Sequence, residues 1–182
     1  MNAITALMGL FLLSGTASAV AITPAQPAVQ PPTYEVKLTA YNAVAAQTDS
    51  NPLVTASGAF SNPEVIAARS RDLATELPFG TIISISRPVA TSVNCGFDVA
   101  ASQIGYRVIA DSMNSRKVNQ VDVLLDQSET VPVAGHATNP SLALGVCDGV
   151  TIRVVGHVAL KDIPATQGQL AQLVTSGALA IK

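Results

Sequence analysis

The sequence predicts a mainly β protein, a small barrel or sandwich with long loops and a short C-terminal helix. Val, Ile, Thr, Ala and Ser are plentiful while Glu and Lys are few, a profile that suits half-buried strands. Short alternating or wholly apolar runs recur, bounded by Gly, Pro, Asn and Ser clusters. No internal repeat is visible.

The elements follow in order. Tyr34-Glu-Val-Lys-Leu-Thr-Ala-Tyr41 alternates and predicts a strand. Residues 42–62 are rich in Ser, Thr, Asn, Asp and Gly and read as a long loop, a kind of segment that usually carries function or is disordered. Val65 to Ala68 is a short strand, Arg71 to Glu76 one helical turn, Leu77-Pro-Phe-Gly80 a turn, and Thr81 to Ser86 a strong strand. Residues 90–105, with Cys95, read as irregular. Tyr106 to Ala110 and Val121 to Leu125 are strands, residues 128–144 are mixed, and Val150 to Val158 is a further strand. Residues 165–177 predict a short amphipathic helix with Leu170, Leu173 and Val174 on one face.

The 182 residues suffice for one domain with a real core. Charged residues make up 12% and the net charge is −2, without a basic stripe, so electrostatic nucleic-acid binding is not expected. Leu7 to Leu13 is an apolar run of signal-peptide length, and Ala17-Ser-Ala19 fits the small-x-small cleavage rule. Residues 1–19 therefore read as a signal peptide, with an uncleaved anchor as the alternative. The expectation is an exported protein of the periplasm, cell envelope or medium, monomeric and without a stable membrane span once the signal is removed. Residues 20–33 hold Pro24, Pro27, Pro31 and Pro32 and read as a linker; the domain covers 34–160 and a tail 161–182. Cys95 and Cys147 are the only cysteines. In an exported chain they most simply form one disulfide, closing a loop of about 50 residues and stabilising by ~3–4 kcal/mol; two buried thiols are the alternative.

Several chemistries find no support. His136 and His157 are the only histidines, and neither belongs to a His/Cys cluster, so no metal site is expected. No phosphate loop, dinucleotide fingerprint or serine elbow is present, and no cofactor is expected. The acids remain. Asp49 and Asp126 read as turn caps. Asp111 ends one apolar run and Asp122 sits between Val121 and Val123 in the next. Two strands folded together by the loop between them would bring both acids to one pocket. An acid on an apolar strand tends toward a raised pKa, which suits a general acid.

Thr55-Ala-Ser-Gly58, Arg71-Asp72-Leu73, Leu77-Pro-Phe-Gly-Thr81, Asp111-Ser-Met-Asn-Ser-Arg116 and Val121-Asp122-Val123 resemble, in order and spacing, the three-aspartate (3D) domain. That domain is shared with the C-terminal part of membrane-bound lytic transglycosylase A and with small stationary-phase wall enzymes. The resemblance covers roughly residues 36–155. It implies a six-stranded double-psi β-barrel that cleaves the β-1,4 bond between N-acetylmuramic acid and N-acetylglucosamine in peptidoglycan strands, leaving a 1,6-anhydro end. By the same resemblance Asp122 is the catalytic acid/base and Asp111 the second acid of the cleft. Asp72 matches the first of the three aspartates, and Thr55 a loop Thr that helps bind the sugar. Asn114 and Arg116 are further candidates for substrate contact. Residues 112–120 depart from the glycine turn of many members. Arg116 and Lys117 are expected to point outward, toward acidic stem peptides. The alternative is a glycan-binding barrel of the RlpA- or expansin-like kind, which also shows Thr-Ala-Ser-Gly and Leu-Pro-Phe-Gly-Thr segments.

Overall fold

The computed structural model describes residues 30–87, 95–177 and 179. The expected signal peptide and most of the linker lie outside the described residues. Among those described, eight strands and three helices follow in chain order: β1 Thr33–Tyr41, β2 Ile66–Arg69, β3 Thr81–Ser86, α1 Phe97–Ile104, β4 Tyr106–Ser112, β5 Gln120–Leu124, β6 Val131–Val133, β7 His136–Thr138, α2 Pro140–Leu144, β8 Cys147–His157 and α3 Gln167–Thr175. Six strands close into a barrel in the order β1-β5-β2-β4-β3-β8, and β6 and β7 form a separate hairpin. The protein is thus mainly β, as the composition predicts.

Closure leaves no exposed sheet edge among the six strands, which removes the usual hazard of unpaired backbone groups. Two pairings are parallel, β1 with β5 and β2 with β4; the other four are antiparallel. Alternate residues of the strands feed two apolar clusters. One gathers Val36, Leu38, Ala67, Ile109, Val121 and Val123, and is joined by Phe97, Ala100 and Ile104 of α1 and Leu144 of α2. The other gathers Tyr41, Ala68, Val108, Ala110 and Leu124, and is joined by Leu170 of α3.

The structure departs from two sequence expectations. Residues 97–104 form α1, where the sequence reads as irregular. Its buried residues fall at 97, 100 and 104, a helical spacing. Gly96 opens the helix and Gly105, at φ 51°, ends it. Asp111 and Asp122 are not on strands that the loop between them pairs. β2 lies between β4 and β5, parallel to one and antiparallel to the other.

The disulfide is formed: Cys95 and Cys147 are joined with an S–S distance of 2.08 Å. It ties the approach to α1 to the start of β8.

Candidate functional site

The site begins with one small residue. Ala68 on β2 is the register partner of both Asp111 on β4 and Asp122 on β5. Strands lie about 4.8 Å apart, so the two aspartate backbones are roughly 10 Å apart with one alanine between them. A β-bulge makes this possible. Ala67 pairs with Ile109 but Ala68 pairs with Asp111, so Ala110 is the extra residue on β4. The inserted residue reverses the in–out alternation and turns Asp111 to the side of Asp122.

Strand β1 completes the arrangement. Thr39 pairs with Asp122 in register, and its Oγ1 donates to Asp122 Oδ1 at 2.7 Å. Two residues on, Tyr41 points to the same side and donates its hydroxyl to Asp111 Oδ2 at 2.8 Å. The loop before β2 and the end of β4 supply the rest. The N–H of Ala56 donates to Asp111 Oδ1 at 2.8 Å, as does the N–H of Ser112. Asp111 thus accepts three hydrogen bonds, whereas Asp122 accepts one among the described residues.

The acids differ electrostatically as well. Burial pushes the Asp122 carboxyl up to about 6; the Thr39 hydrogen bond and the Lys117 charge oppose the rise, and the Asp111 charge adds to it as the smallest contribution. Desolvation, rather than the neighbouring acid, therefore sets its protonation. Burial, followed by the charge and hydrogen bond of Asp111, holds the Tyr41 phenol far above its usual range, so it stays a donor. Gln120 is 4% exposed, and its Nε2 donates to Thr39 Oγ1 at 2.8 Å. That contact occupies the Thr39 oxygen as acceptor and commits its proton to Asp122. Asp122 Oδ1 is thereby engaged, and Oδ2 is the oxygen left to carry a proton.

Both acids line an open cleft of ≈ 520 Å³. Tyr41 and Ala68 line it with them, as do the 47–56 loop through Gln47, Thr48, Asp49, Pro52, Val54, Thr55 and Ala56, and Ser112 to Asn114 with Arg71 and Lys117. The cleft sets polar groups around one partly buried acid.

Each sequence-predicted residue can now be placed. Asp111 and Asp122 converge as expected, by way of β2. Thr55 lines the cleft rim but is 5% exposed, and its Oγ1 is engaged with Ala59 O at 3.1 Å and Ser57 Oγ at 3.0 Å. It shapes the turn rather than reaching outward. Asp72 does not line the cleft. Its carboxylate accepts from the Asn119 N–H at 2.9 Å and is held low chiefly by the Ser70 hydroxyl. It fastens the end of the β4–β5 loop, where Asn119 sits at φ 48°. Asn114 lines the cleft, with Oδ1 accepting from the Arg116 N–H at 3.0 Å and Nε at 3.3 Å. Arg116 is exposed and is not part of the lining. Lys117, expected outward, lines the cleft instead and acts electrostatically on Asp122. The turn from Asn114 to Lys117, closed by a 2.9 Å backbone hydrogen bond, brings it round.

The turn-cap readings of two acids hold. Asp49 Oδ1 accepts from the Asn51 N–H at 2.8 Å, and Asp126 Oδ1 takes the N–H of Ser128 at 2.8 Å and its hydroxyl at 2.7 Å. His157 bonds Phe79 O at 3.0 Å from the surface. Among the described residues no group of three or more His, Cys, Asp or Glu is placed to hold a metal, and no helix is long and apolar enough to cross a membrane. Sequence reasoning missed Thr39, Tyr41, Ala68, Arg71 and Gln120 in this site. Thr39 and Tyr41 carried a readable signal, two polar side chains on alternate positions of one strand. No protein-family model matches the chain, and no curated protein matches it.

Proposed function

We propose that the protein is a peptidoglycan-cleaving lytic transglycosylase with Asp122 as its acid/base. The observation that carries this reading is the inequality of the two acids: one desolvated carboxyl pushed up to about 6 beside a second acid that accepts three hydrogen bonds. In this mechanism protonated Asp122 donates to the glycosidic oxygen of a MurNAc–GlcNAc bond as the C–O bond breaks. The carboxylate so formed takes the proton of the muramyl 6-hydroxyl, whose oxygen attacks the anomeric carbon. Asp122 ends protonated, the anhydro ring is closed, and no water is consumed. Asp111 stands about one strand pair away, where its negative charge offsets the positive charge that builds on the sugar ring. Retaining hydrolases place their acids so that one attacks the sugar; here the sugar's own hydroxyl takes that part.

Two parallel pairings within a closed six-stranded barrel support the double-psi form of the fold. They serve equally a barrel that binds glycan without cutting it. In that alternative the Thr55 to Gly58 and Leu77 to Thr81 turns keep their structural work, and Asp122 does nothing to a bound strand. The discriminating experiment is Asp122→Asn against wild type on purified peptidoglycan, with the soluble fragments weighed. Anhydro-muropeptides from wild type alone are expected. Equal release by both proteins would sink the assignment, hydrated products would mean a hydrolase, and sedimentation with the sacculus without any product would mean a binding module.

A further inference from the structure

The cleft wall that carries Thr55 continues outward into an apolar patch. Val54 lines the cleft, and Leu53, Val54 and Phe60 are 55%, 45% and 65% exposed. Val54 and Phe60 are cross-strand partners in a small antiparallel bridge, which places their side chains side by side, about 5 Å apart at Cβ. The bridge is held firmly. Ser61 N–H bonds Leu53 O at 3.0 Å, Thr55 N–H bonds Ala59 O at 2.9 Å, and Gly58 turns the chain at φ 85°. The turn is then fixed to the site itself. Ala56 N–H bonds Asp111, and Ser57 N–H bonds Ala110 O at 3.2 Å. Phe60 is therefore a mostly solvated aromatic ring held at a set distance from the acids.

We propose that Phe60, flanked by Leu53 and Val54, is a stacking surface for one pyranose ring of a β-linked aminosugar strand as it leaves the cleft. This rests on the glycan-cleaving reading and adds a subsite to it. A β-linked glucosamine ring presents an apolar face of axial C–H groups and a rim of equatorial polar groups. Three apolar side chains match one such face in size, whereas a stable protein partner needs about 800 Å² from each side. The patch is continuous, through Val54, with a cleft that is lined by polar side chains. Stacking on the aromatic face supplies affinity without fixing the sugar's substituents.

The chain contains no Trp, so Phe60→Trp installs a single fluorescent reporter at the patch. In an Asp122→Asn background, which prevents turnover, titration with chitotetraose and with a muramyl-containing tetrasaccharide is expected to shift and saturate its emission. Phe60→Ala in the same background is expected to weaken calorimetric binding of both roughly tenfold, the size of one lost aromatic stacking contact. With Asp122 restored, the loss should appear in KM rather than kcat. Glycan bound equally well with and without the Phe60→Ala substitution, with unmoved emission from the Phe60→Trp reporter, overturns the stacking surface while leaving the cleavage reading intact. Emission that responds to protein concentration rather than to glycan assigns the patch to a second copy and overturns it too. Failure of every glycan to bind wild type removes both readings.

Discussion

Asp122 and Asp111 carry the same functional group and differ in how many hydrogen atoms point at them. The desolvated carboxyl with one donor is half-protonated near pH 6, whereas Asp111 accepts from three donors. The rate of the proposed glycan cleavage, as kcat/KM, should fall as pH rises through about 6, because the acid is lost. Lys117 opposes the elevation, so Lys117→Met should move that limb to higher pH; dye release from labelled peptidoglycan across about pH 4–8 (an assay range set by roughly two units either side of the limb) reads both effects, and a limb that stays in place would remove Lys117 from the account. The same shift has a stability consequence. A carboxyl whose folded pKa is raised from 3.8 to about 6 favours the folded state when protonated. Stability from this group is therefore full below 3.8, declines as pH rises to about 6, and stays low above. Asp122→Asn keeps an acceptor for Thr39 and removes the ionisation. It should stabilise the protein by about 1–3 kcal/mol at pH 7 and by almost nothing near pH 4, as thermal denaturation at the two pH values will show.

At the level of elements, Asp72 helps to fasten the end of the β4–β5 loop, together with the bonds of Asn119 to Glu35 and Lys37 of β1. The Ser70 hydroxyl and the Asn119 N–H hold the Asp72 carboxylate low, so its contribution is present above 3.8 and is lost as pH falls below that value. Asp72→Ala should cost about 0.5–1.5 kcal/mol and speed amide exchange around Asn119, with little change in the exchange of β5's central residues. The element pattern also shows what the sequence made legible. Alternation located β1, and runs rich in Val and Ile located β3, β4 and β5, because side-chain pattern is a local property. α1 went unread because its three buried positions, Phe97, Ala100 and Ile104, are spaced by Ala, Ser and Val in a stretch flanked by a cysteine loop. The pair Asp111 and Asp122 was legible as two acids on apolar strands. The route by which they meet was not, since pairing of β2 with both β4 and β5 is a long-range choice that no local run records. Gln120 was out of reach too: it is 2 positions from Asp122 in sequence, yet it matters only once β1 lies beside β5 and brings Thr39 to it.

Across the whole molecule, two devices hold parts that the sheet alone does not. Arg107 is 1% exposed, and its guanidinium is held by backbone carbonyls. It donates to those of Ile104 at 2.6 Å, Pro63 at 2.6 Å, Leu124 at 3.0 Å and Ile66 at 3.4 Å, and to that of Gln103. It joins the end of α1, the entry to β2 and the end of β5, and burial lowers its pKa to about 9. Arg107→Met would leave those carbonyls without donors and should cost about 3–5 kcal/mol, read by urea denaturation. The Cys95–Cys147 bond spans 52 positions and anchors the α1 side of the barrel. Its reduction should lower stability by ~4 kcal/mol, visible as a drop in melting temperature with reductant that Cys95→Ser reproduces without it.

The placement of Ala68 between the two acids has a further consequence, which concerns how such a site can change over generations. Asp111 and Asp122 are each referred to the same β2 residue through backbone ladders, not to each other through the loop that joins them in sequence. Residues can be gained, lost or exchanged between Ser112 and Gln120 while the separation of the acids is inherited unchanged. Substitutions in that loop can retune Asp122 through the charge of Lys117, while the spacing of the two acids rests with the barrel.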